Sequence, residues 1–63
     1  MPYTVSLKAA RVNAGLTQMD AANALGKSKQ TIVNWENGSS AIKYVDLVRL
    51  AELYGAPIEM LRL

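Results

Sequence analysis

Apolar residues recur along the chain at three- and four-residue spacing, in short stretches separated by glycine. Leu7, Ala10, Arg11 and Ala14 share one helical face, and Gly15 follows where a left-handed residue ends a helix. Either Thr4 or Ser6 can cap this first helix. Thr17 caps a second, and Asp20 three residues later makes a short version of a capping box. Ala21, Ala22 and Leu25 point inward there, and Gly26 stops it. Ser28 caps a third helix with Ile32 and Trp35 as its apolar stripe, and Gly38 closes it. Residues 39–43 read as a polar loop. Tyr44, Leu47, Val48, Leu50, Ala51 and Tyr54 then mark a fourth helix, stopped by Gly55. Pro57 suits the first turn of a short fifth helix containing Ile58 and Leu61. No stretch alternates as a half-buried strand would, so the pattern predicts a compact all-α domain of five helices.

The alanines of the second helix, Ala21, Ala22 and Ala24, permit close approach of a neighbouring helix axis, although alanine is also the best helix former. At 63 residues the chain is read as one domain over 1–63 with no effector domain. A chain of this size buries only about 60% of the surface its unfolded form exposes, so modest stability is expected. It has no cysteine and no histidine, which excludes a disulfide scaffold and a Cys/His zinc site. Although 51% of the residues are hydrophobic, no apolar run approaches the roughly 20 residues a membrane span needs. Residues 1–15 lack the basic start and apolar core of a signal peptide, and the expectation is a cytoplasmic protein.

Net charge is +2, a weak sign of an anionic partner, but its distribution is uneven. Lys8, Arg11, Lys27, Lys29 and Lys43 against Asp20 and Glu36 give residues 1–43 a charge of +3. Arg49 and Arg62 against Asp46, Glu52 and Glu59 give the remainder −1. The positive part coincides with two short capped helices set around a Gly26-Lys27-Ser28 corner, the arrangement that pushes one helix into the major groove of DNA.

The run Leu16-Thr17-Gln18, Ala22, Leu25-Gly26, Ser28, Ile32 and Trp35-Glu36-Asn37-Gly38, continued by Leu47-Val48-Arg49-Leu50-Ala51, Gly55 and Leu61, resembles the phage repressor/Cro (XRE-type) helix-turn-helix family. The likeness covers nearly the whole chain. It implies a lambda-repressor-like five-helix domain in which helices two and three bind operator DNA, commonly as a two-fold dimer that controls transcription. It also implies an ion pair between Arg11 and Glu36. Arg11 independently needs a partner on an apolar face, unless it reaches solvent or a phosphate instead. Three positions depart from the family pattern: Ala21 replaces leucine, Ile42 a frequent proline and Lys43 a capping residue. These leave the loop shape and the start of helix four open.

Base readout is assigned to Lys29, Gln30, Val33 and Asn34 on the third helix. A glutamine amide can bond adenine at N6 and N7, a lysine guanine at O6 and N7, and a valine can meet a thymine methyl. Phosphate contacts are assigned to Gln18 at the amino end of helix two, and to Lys27, Ser28, Asn37, Ser39, Ser40 and Lys43 around helix three. For each, the bland alternative is a wet polar surface. Trp35 is assigned to the core because of its spacing from Ile32, against a base-stacking role.

The segment from Gly55 onward carries more apolar surface than one short helix buries. Pro57, Met60 and Leu63 are therefore assigned to a homodimer contact that sets two reading helices about 34 Å apart. The competing explanation is a longer protein whose missing part covers them. No constellation of nucleophile and base is present, so an enzyme is not expected, and no metal, cofactor or small-molecule ligand is called for. The rival is a protein-interaction or antitoxin-type module on the same fold. Against it, the Lys29, Gln30 and Asn34 face is more polar than a protein-binding face should be.

Overall fold

A computed structural model describes residues 4–62, and Leu63 lies outside them. The order is β1 (Val5–Ser6), α1 (Leu7–Asn13), α2 (Gln18–Leu25), α3 (Lys29–Asn37), α4 (Tyr44–Tyr54), a single 3₁₀ turn (Ile58–Met60) and β2 (Leu61–Arg62). Caps explain the starts of the first three helices. The Ser6 hydroxyl accepts from Ala9 N–H at 3.0 Å, which settles the choice between Thr4 and Ser6. Thr17 Oγ1 accepts from Asp20 N–H at 3.0 Å while Asp20 Oδ2 accepts from Thr17 N–H at 2.9 Å, a complete capping box.

The corner between α2 and α3 depends on Gly26, at φ +68°. That conformation lets Lys27 N–H turn back onto the carbonyl of Ala22 at 2.9 Å and close the helix. A Cβ at this position would meet nothing within 4 Å, so the demand for glycine comes from the backbone and not from crowding.

Leu7, Ala10, Ala21, Ala22, Leu25, Ile32, Leu47, Leu50, Ala51, Tyr54 and Leu61 form the core. Ala21 and Ala22 are fully enclosed, and Trp35 packs half-buried against this cluster. Ala24, by contrast, is exposed and plays no part in the approach of helices. Ala14 is exposed too, because α1 has already ended at Asn13.

The five-helix expectation is corrected to four α-helices among the described residues. Pro57 takes an extended backbone (ψ 136°), one 3₁₀ turn follows, and Leu61 returns to extended geometry with its side chain in the core. Leu61–Arg62 then pairs parallel with Val5–Ser6, with Val5 opposite Leu61 and Ser6 opposite Arg62. A helix here would bury Leu61 but leave the polar backbone beside Val5 without this partner. The α4 stripe also differs at its start. Tyr44 is 72% exposed and Asp46 only 7%.

Candidate nucleic-acid interface

The candidate interface comprises α3 and the amino end of α2, and both are held by one charged cluster. Arg11 Nε donates to Glu36 Oε2 at 2.7 Å, Nη2 to Oε1 at 3.3 Å, and Nη1 to the carbonyl of Leu16 at 2.8 Å. The two side chains are only 10% and 6% exposed. The hydrogen bond with Glu36 holds the Arg11 guanidinium above the usual arginine range, against the opposing effect of burial. Gln18 Nε2 also donates to Glu36 Oε1, at 3.1 Å. One carboxylate in the last turn of α3 therefore ties down both α1 and the first residue of α2.

This cluster has an electrostatic consequence. Glu36 is the one acid in α3 and would repel phosphate if left bare, but Arg11 neutralises it inside the fold. The outward charge of the helix is then that of Lys29.

Ser28 starts α3 by accepting from Thr31 N–H at 3.2 Å, and its hydroxyl also shares a hydrogen bond with that of Thr31 at 3.0 Å. Helical spacing buries Ile32 and half-buries Trp35, and Lys29 and Gln30 are left exposed. Val33 and Asn34 sit half-buried beside them. Gln30 Nε2 donates to Asn34 Oδ1 at 2.9 Å across one turn. After the helix, Asn37 Oδ1 accepts from Ser39 N–H at 2.9 Å, and Asn37, Ser39, Ser40 and Lys43 are all exposed, as are Lys27 and Ser28.

At the amino end of α2, Thr17 takes up the N–H groups of Asp20 and Ala21. Those of Gln18 and Met19 lie ahead of the first intrahelical bond. The Thr17 backbone N–H, which donates to Asp20 Oδ2 at 2.9 Å, and after it the Thr17 hydroxyl, hold the Asp20 carboxyl below its ordinary range and keep it charged. A surface hollow of about 330 Å³ joins Arg11, Leu16, Thr17, Gln18, Met19 and Lys29, so the structure brings Gln18 and Lys29 to one rim. Pro57 and Met60 are not part of this face. They border a separate hollow of about 380 Å³ with Val5, Ala10, Asn13 and Tyr54.

Sequence reasoning missed Met19, which is 48% exposed and lines the hollow beside Gln18. Its place outside the Ala21, Ala22 and Leu25 stripe was the available signal. The Gln18–Glu36 bond was missed as well, and no spacing rule joins residues so far apart in sequence. The Tyr54 hydroxyl is buried without a hydrogen-bond partner among the described residues. Burial, reinforced by the Glu36 charge and opposed by Arg11, pushes its pKa up to about 12.

Two capped helices around a glycine corner, the second with a polar outer face, define a helix-turn-helix protein. The chain belongs to the helix-turn-helix family, whose model matches residues 7–61, and it is of the phage repressor/Cro type that its motifs resemble. It is similar to the cryptic phage CTXphi transcriptional repressor RstR of Vibrio cholerae, with 32% identity over 56 residues. That alignment takes in 89% of this chain and 50% of the relative, so the chain spans about half the length of the curated relative it matches. No solved structure matches the chain. Among the described residues, no helix is long and apolar enough to cross a membrane.

Proposed function

We propose that the chain binds double-stranded operator DNA as a homodimer, lays α3 in the major groove, and represses transcription in the cytoplasm. The observation that carries this reading is the exposed Lys29 and Gln30 pair on a helix fixed at both ends and braced through Glu36. The similarity to a phage transcriptional repressor supports it. Gln30 reads adenine, Lys29 guanine, and Val33 meets a thymine methyl beside them, each good bidentate pair contributing about 1–3 kcal/mol of discrimination. Gln18, Lys27, Ser28, Asn37, Ser39, Ser40 and Lys43 fix the register on phosphates. At Gln18 the free N–H groups of the helix start and the second amide hydrogen do this, since Glu36 takes the first. Pro57, Met60 and Leu63 supply the contact between copies.

Selection of bound sequences from random duplex DNA, followed by binding at several salt concentrations, tests the reading. Affinity should fall with a log–log slope of about −0.9 per phosphate neutralised. Gln30→Ala should relax preference at one base pair, and Lys43→Ala should weaken all sequences alike. Uniform loss in both variants overturns the base-reading assignment, and a salt-independent interaction favours a protein-binding module.

A further inference from the structure

Asn34 differs from its neighbours on the outer face of α3. It is half-buried where Lys29 and Gln30 are exposed. Its amide oxygen is already occupied by Gln30 Nε2 at 2.9 Å. Its main-chain carbonyl receives Ser39 N–H at 2.9 Å and Ser40 N–H at 3.4 Å, so its backbone is fixed by the turn that ends the helix. We propose that Asn34 is a positioning residue: it holds the Gln30 carboxamide in the orientation that reads adenine, and it is not an independent reader of a second base.

This inference rests on the reading of Gln30 against adenine given above and adds the means by which Gln30 is oriented. A carboxamide offers two N–H hydrogens and an oxygen. Asn34 uses one hydrogen, which leaves Gln30 with Oε1 and one N–H. Those are the two groups that adenine N6 and N7 require. An unclasped glutamine on an exposed helix face must freeze its side-chain torsions when it meets DNA, whereas the clasped one is ordered beforehand.

The test uses the selected operator duplex and its single-base variants, with wild-type protein, Gln30→Ala, Asn34→Ala, Asn34→Asp and the Gln30→Ala/Asn34→Ala double variant. Asn34→Ala should lose about three- to tenfold in discrimination at the base pair that Gln30→Ala relaxes, and at no other. The double variant should match Gln30→Ala within about twofold, since nothing remains to be oriented. Asn34→Asp keeps the acceptor oxygen, so it should retain discrimination while its charge weakens binding to every duplex. In the free protein, side-chain amide exchange measured by NMR should show one protected Gln30 Nε2 hydrogen that is lost in Asn34→Ala and kept in Asn34→Asp.

Loss at a different base pair in Asn34→Ala, additivity in the double variant, or an unprotected Gln30 amide in the wild type would each overturn the proposal while leaving DNA reading by α3 intact. If Gln30→Ala leaves every base preference unchanged, the assignment of Gln30 as a reader fails, and the positioning role falls with it.

Discussion

Arg11→Met removes the cation from a pair that the fold has taken out of water. The substitution keeps side-chain length and apolar bulk, so its cost reports mainly on the charge. Glu36 is left 6% exposed, with Gln18 at 3.1 Å as its only remaining side-chain partner among the described residues. The carbonyl of Leu16 also loses its bond from Nη1. Breaking one side of a buried pair costs about 3–5 kcal/mol, and the lost carbonyl contact about 1 more. At roughly 0.05–0.15 kcal/mol per residue, a chain of 63 residues has only about 3–9 kcal/mol in total. The variant should therefore lose about half or more of that stability, which leaves it unfolded at 25 °C where the total lies in the lower half of the range. The double variant Arg11→Met/Glu36→Leu removes both charges and should recover most of the loss, because the desolvation of two ions disappears along with their attraction. Urea denaturation followed by circular dichroism, with the midpoint compared at unchanged slope, measures both. If Arg11→Met costs under about 1 kcal/mol, or if the double variant is as unstable as the single, the claim that this pair is buried and mutually dependent is refuted.

Tyr54→Phe removes a buried hydroxyl that has no partner and should be neutral or stabilising by about 1 kcal/mol in the same denaturation assay. It should also change the alkaline limb. The folded state keeps the Tyr54 proton up to about 12 whereas the unfolded chain releases it near 10.0, so the contribution is complete below pH 10 and is lost as pH rises through that window. The difference between wild type and Tyr54→Phe isolates this effect from the other tyrosines, and parallel profiles would contradict it. Met60→Glu places a charge in the hollow shared with Val5 and Pro57 and should shift the protein to monomer in sedimentation, while an unchanged sedimentation coefficient would remove the proposed contact.

The sequence was most legible where one residue has one local job. Ser28, Thr17 and the glycines at 26, 38 and 55 set the ends of α2, α3 and α4 through caps and left-handed turns that depend on near neighbours alone. The Arg11–Glu36 pair was reachable because a guanidinium on an apolar face demands an acid, and the family resemblance supplied one. The chain end was not legible: two-residue strands have no period to detect, and Leu61 satisfies a helical stripe and an extended core position equally well. Nor could periodicity foresee Tyr44 outside and Asp46 inside, since it gives the angle of a side chain around the axis but not which neighbours cover it. On the outer face of α3, spacing placed Lys29, Gln30 and Asn34 together but did not reveal that two of them would bond to each other.

The pairing of Val5–Ser6 with Leu61–Arg62 sets the two extremities of the described chain on adjacent strands, where backbones run about 4.8 Å apart. Because the pair is parallel, a linker that doubles back along it would join them, and the exposed stretch at Ser39–Ser40 offers a place to open the polypeptide instead. In such a rearranged molecule α1, α2 and α3 would still follow one another without interruption, and α4 would precede them in the chain.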